Sequence, residues 1–99
     1  MLYVLIGEDA PDRLDARMTA RPAHLARLEA LRDQGRLVLA GPMPAIDSAD
    51  PGPAGYCGSL IVAEFANLEE AERWLMEDPY VTQGVFARTR VHPYRKVLP

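Results

Sequence analysis

An α+β fold in the order β-α-β-β-α-β is what this sequence predicts: a four-stranded antiparallel sheet with its helices on one face. Three observations predict it. Strand-like apolar runs begin near residues 2, 36, 58 and 85. Helical periodicity fills the gaps between the first and second runs and between the third and fourth. The remaining gap is a loop rich in Asp, Pro, Gly and Ser, as a connection between neighbouring antiparallel strands would be. Together these give the ferredoxin-like arrangement, and 99 residues suit one domain spanning 1–99.

Leu2 to Ile6 is apolar at every position, the signature of a strand covered on both faces. Asp9-Ala10-Pro11-Asp12 is turn chemistry, with Asp12 placed to cap a short helix through Leu14, Arg17 and Met18. Pro22 disfavours helical geometry in the residue before it. A break at Arg21 and a fresh helix from Pro22 to about Gln34 are therefore expected, with Gly35 as the stop. On that second piece His24, Leu28 and Leu31 share one face, so His24 is aimed inward.

Arg36 to Ala40 reads as the second strand and Gly41-Pro42-Met43-Pro44 as its termination. Residues 45–56 form a loop longer than a tight hairpin needs, either a solvated connection or a lid. Gly58 to Phe65 is the third strand, interrupted in its apolar pattern only by Ser59 and Glu64. Asn67-Leu68-Glu69-Glu70 has capping-box character and opens a helix whose buried stripe is expected to be Leu68, Ala71 and Leu75, helped by Trp74. Asp78 before Pro79 predicts a capped single turn ending by Gly84. The last strand, Val85 to Val97, carries Arg88, Arg90, Arg95, Lys96 and Pro93, which mark an edge. Because the first and third strands are apolar on both faces while helices cover only one, the second face is expected to pack against another copy in an isologous homodimer.

Composition excludes several classes. A net charge of -3 argues against a nucleic-acid footprint, and aromatic pairs for stacking bases are missing from the central strands. No apolar run is long enough to span a membrane. The apolar start lacks a basic region and cleavage site, so it reads as a strand rather than a signal peptide and the expected location is the cytoplasm. Cys57 is the only cysteine and the two histidines, His24 and His92, are far apart, so no metal site is expected. No glycine-rich phosphate loop is present, and no cofactor is expected.

His24 is the leading candidate for chemistry, since imidazole both accepts and donates a proton near neutrality. The same residue equally fits a hydrogen-bonded core histidine. Its expected place in the first turn after Pro22, at the positive end of a helix dipole, would favour the uncharged ring as a base. Asp78 fits either a partner that orients that ring or an ordinary helix cap. Tyr80 offers a phenol for a substrate oxygen or an amphipathic edge of the core, and Ser59 fits a site hydroxyl or a buried serine bonded to backbone. Arg21 and Arg36 fit either anion contacts or solvated charges at element ends, and Gly41 with Pro42 shapes the strand exit or brings backbone close to a ligand.

Five segments carry a specific likeness: Arg21-Pro22-Ala23-His24-Leu25, Gly35-Arg36-Leu37, Ala40-Gly41-Pro42-Met43-Pro44-Ala45, Gly58-Ser59 and Asp78-Pro79-Tyr80. In this order they resemble the YciI-like proteins over essentially the whole chain. The resemblance implies a ferredoxin-like dimer of the dimeric α+β barrel type, related in architecture to muconolactone isomerase. It also implies a pocket whose histidine and aspartate form a candidate catalytic pair, here His24 and Asp78, with Ser59 and Tyr80 as lining. One relative in that family is a dehydrochlorinase of a chlorinated hydroxyhydroquinone, which suggests lyase- or isomerase-like proton transfer on a small cyclic or enolic metabolite. The alternative expectation is a dimeric small-molecule-binding or accessory module without catalysis.

Overall fold

A computed structural model describes residues 1–99. Strand β1 (Leu2–Asp9) is followed by helix α1 (Leu14–Asp33), strand β2 (Leu37–Pro44), strand β3 (Tyr56–Glu64), helix α2 (Leu68–Met76), the single-turn helix α3 (Pro79–Thr82) and strand β4 (Phe86–Tyr94). All neighbouring strands are antiparallel, in the order β2-β3-β1-β4. This is the predicted ferredoxin-like sheet.

Alternation along β1 sets the two faces. Tyr3, Leu5 and Gly7 are buried beneath the helices, and their partners on β3 are Ala63, Ile61 and Ser59. Leu28 and Leu31 of α1, Ala71 and Leu75 of α2 and Phe65 complete that core. The opposite face holds Val4, Ile6, Leu60, Val62 and Leu39, and no helix packs on it.

The largest departure from expectation is α1, which runs unbroken through Pro22 rather than in two pieces. Its buried residues are Arg17, Ala20, His24, Leu28 and Leu31, spaced at three and four from end to end. A single straight stripe can pack against one sheet face, whereas two misaligned pieces could not. Pro22 lies on the exposed side, and the loss of one backbone bond, about 3 kcal/mol, is offset by that packing.

Smaller corrections follow from local geometry. Asp12 has φ 58 and belongs to the preceding turn, so Arg13 occupies the N-cap position with no side-chain bond. Strand β2 continues through Gly41 to Pro44, because as an edge strand it tolerates prolines on its unpaired side. Strand β3 starts at Tyr56, two residues earlier than expected, which shortens the preceding loop and leaves room for a 3₁₀ turn at Gly52–Ala54. Strand β4 covers Phe86–Tyr94 rather than Val85 to Val97, ending where β1 ends its pairing at Leu2. Leu68 is exposed, so the buried face of α2 rests on Ala71 and Leu75.

Asn67 caps α2 through one half of the expected capping box, with no bond from the Glu70 side chain back to it. The Glu70 N–H donates to the Asn67 side chain at 2.9 Å. Both α1 and α3 end in the same way: Gly35 (φ 71) and Gly84 (φ 73) let Arg36 N–H reach Leu31 and Val85 N–H reach Tyr80. No helix is long and apolar enough to cross a membrane.

Candidate functional site

Helix α1 and the turn at α3 face one another across the edge of the core, and each carries half of a polar cluster. Asp78 caps α3, accepting the Tyr80 N–H at 3.0 Å on Oδ2. The same oxygen lies 2.7 Å from His24 Nδ1. An ionised carboxylate only accepts, so Nδ1 is the donor, and in the uncharged form of the ring the lone pair lies on Nε2. The other carboxylate oxygen accepts from Arg27 Nη1 at 2.9 Å. Arg27 is fixed in turn by a bond to the Trp74 carbonyl at 2.8 Å and by lying 4.1 Å over the Trp74 ring. Asp78 is wholly buried, and three donors satisfy it there.

A second buried cluster adjoins the first. Arg17, only 3% exposed, donates to both oxygens of Asp9, from Nε at 2.8 Å and Nη2 at 2.6 Å. Its Nη1 donates to Ser59 Oγ at 3.0 Å. The Tyr80 ring joins the two clusters. It stacks on the His24 imidazole with centroids 3.9 Å apart, and the Arg17 guanidinium lies 4.7 Å from its centroid. Arg17 and His24 are seven residues apart on α1, a rise of about 10.5 Å, so the ring is inserted between them. Phe86 meets Tyr80 edge-on at 5.5 Å. Burial pushes the Tyr80 phenol above its ordinary range; Arg17 and Arg21 oppose this and Asp78 adds to it.

Of these groups, Arg17, His24, Ser59 and Tyr80 line a cavity of about 400 Å³ between α1 and strands β2 and β3. His24, Ser59, Tyr80, Arg21 and Gly41, all singled out in the sequence, lie on its wall. Asp78 stands behind the wall, bonded to two residues that line it, to the His24 side chain and the Tyr80 N–H. Arg36 is not part of it: at the far end of α1 it bonds the Glu64 carbonyl and Gln34. His24 is also not at a helix start but in the middle of α1, so its orientation comes from Asp78 rather than from a helix terminus.

Arg17, Asp9, Arg27 and Tyr56 were not anticipated as parts of the site. For Arg17 a signal existed, since the stripe of His24, Leu28 and Leu31 extends back through Ala20 to it once α1 is continuous. Asp9 and Arg27 are found through contacts distant in sequence, and no local pattern announces them.

Over 98 residues the chain is 55% identical to Protein YciI of Escherichia coli O6:H1, covering 99% of this chain and 100% of that one. Among solved structures it resembles 5-chloro-2-hydroxyhydroquinone dehydrochlorinase (TftG) from Burkholderia phenoliruptrix AC1100, in complex with 2,5-dihydroxybenzoquinone. The TM-score is 0.83 at 27% identity, over 96% of this chain and 94% of that one. An antibiotic biosynthesis monooxygenase shares the fold, with a TM-score of 0.50 at 14% identity over 99% of this chain and 100% of that one. The YCII-related domain matches residues 1–95, and the chain belongs to that family.

Proposed function

We propose that this protein is a small enzyme that moves a proton on a compact cyclic or enolic metabolite, in a lyase- or isomerase-like way and without a cofactor. The observation that carries this is the 2.7 Å contact between His24 Nδ1 and a fully buried Asp78, which leaves Nε2 as the basic nitrogen of a cavity wall. His24 would take a proton at Nε2, and Asp78 would hold the ring and balance the charge it gains. The electron pair left on the substrate then either accepts a proton at another atom, giving an isomer, or expels a leaving group from the adjacent carbon. Ser59 and Tyr80 would hold a substrate oxygen. The likeness to a dehydrochlorinase that binds a dihydroxybenzoquinone supports this chemical class.

The partner in this reading is a second copy of the chain, packed through the sheet face that the helices leave open. The likeness to the Xenovulene A biosynthesis cluster protein asL2 of Sarocladium schorii, 31% identical over 78 residues, supports a metabolic role.

The test is a His24→Asn variant. A panel of small ring enols and chlorinated hydroxyquinols in heavy water is followed by NMR for deuterium uptake and by chloride release. Wild type should turn over at least one member, and the variant should lose about 10²–10⁴-fold in rate with its fold retained. Equal rates would remove His24 from the chemistry. Native mass spectrometry of freshly purified protein would complement the panel by identifying a retained small molecule.

A further inference from the structure

The charge of the cavity bears on what it holds. Two of its lining residues are arginines, Arg17 and Arg21, and none is Asp or Glu. Behind the wall, Asp9 balances Arg17 and Asp78 balances Arg27. With His24 neutral, three guanidiniums stand against two carboxylates, and one positive charge is left. It belongs to Arg21, which is exposed at the cavity and makes no ion pair within the chain. In a molecule of net charge -3, this pocket is thus locally cationic.

The neutral polar groups point the same way. Ser59 Oγ accepts from Arg17, so its own O–H is left to donate. Burial favours the protonated Tyr80 phenol, which is also a donor. Against these donors stands His24 Nε2 as an acceptor. Aromatic faces and aliphatic side chains form most of the remaining wall, with the Tyr56 ring centroid 5.4 Å from the Arg17 guanidinium.

We propose that the cavity binds a planar monoanion, a ring or conjugated chain bearing one ionised oxygen as an enolate, phenolate or carboxylate. The oxygen is received by the Ser59 and Tyr80 hydroxyls, Arg21 supplies the balancing charge, and His24 Nε2 faces the acidic hydrogen. This rests on the cavity being the ligand site of the proton-transfer reading and adds the charge and shape of the ligand.

The probes are benzoate, its neutral isostere benzamide, and the dianion phthalate, titrated by NMR into the full-length protein at neutral pH and fixed ionic strength. Benzoate should bind about tenfold tighter than benzamide, the worth of one charge-assisted contact in a partly open site. Phthalate should bind more weakly than benzoate. Arg21→Met should bring benzoate and benzamide to near parity, and Arg21→Lys should keep most of the difference; since Arg21 is exposed and unpaired, both variants should melt like wild type. The proposal is overturned if wild type binds benzoate no better than benzamide, if neither binds in the millimolar range, if phthalate binds best, or if the preference survives Arg21→Met. His24→Asn separates the two readings: it should keep the preference for the anion even where turnover is lost.

Discussion

At Asp78 a single carboxylate receives His24, Arg27 and the Tyr80 N–H; the contacts with His24 and Tyr80 are buried and the one with Arg27 is partly so. Tyr80 is both a wall and a stacking element, and its phenol titrates at higher pH in the folded chain than in the unfolded one. The sign follows directly. The folded state binds the phenolic proton more tightly, so that contribution to stability is complete below about pH 10, the unfolded value, and disappears as pH rises through the higher folded value. Denaturation midpoints measured across the alkaline range should therefore fall more steeply for wild type than for Tyr80→Phe. Parallel curves would show that another group governs alkaline unfolding. Of this residue-scale picture, Asp78 before Pro79 was legible as a cap because capping is local chemistry. Its second use, by His24, depends on a sequence separation of 54 and its third, by Arg27, on one of 51.

The elements divide along the same line. The stops at Gly35 and Gly84 and the cap at Asn67 were readable because each depends on one residue's own conformational freedom or side-chain reach. Pro22 was misleading, because the local rule against an internal proline yields to a buried stripe five residues long. The bias in favour of Leu68 failed for a related reason: α2 packs through a narrower face than its sequence offers. Strand β1 adds a constraint that only packing reveals. A side chain at Gly7 would run into the Phe86 ring, which buttresses Tyr80. Gly7→Ala should cost about 1–3 kcal/mol by overpacking and disturb the Tyr80 stack, whereas Gly41→Ala, with open space around the added carbon, should be nearly neutral in stability. Chemical denaturation with near-ultraviolet circular dichroism checks both, and equal stability of the two variants would contradict this packing.

Across the whole molecule the two sheet faces are unequal. One is sealed by α1 and α2. The other leaves Val4, Ile6 and Leu60 half-buried and Leu39 52% exposed. A homodimer through this face should sediment as such at micromolar concentration, and Leu39→Asp should shift it to monomer by burying an unpaired charge; a wild-type monomer would remove that assembly. The order β-α-β-β-α-β and the two-faced strands were both visible in the apolar pattern, while the ion pair of Arg17 and Asp9 was not, because pairing across the fold leaves no periodicity. The insertion of Tyr80 between Arg17 and His24 has a consequence in time as well as space. Apart from the Asp78 cap on the Tyr80 N–H, the polar contacts of the site join α1 to residues far along the chain or to the end of β1, so a nascent chain cannot assemble the proposed pair of His24 and Asp78 until α3 has emerged and docked. Bringing His24 and Asp78 together closes a long loop at an entropic cost, which makes occupation of the cavity a reporter that α1 and α3 have docked.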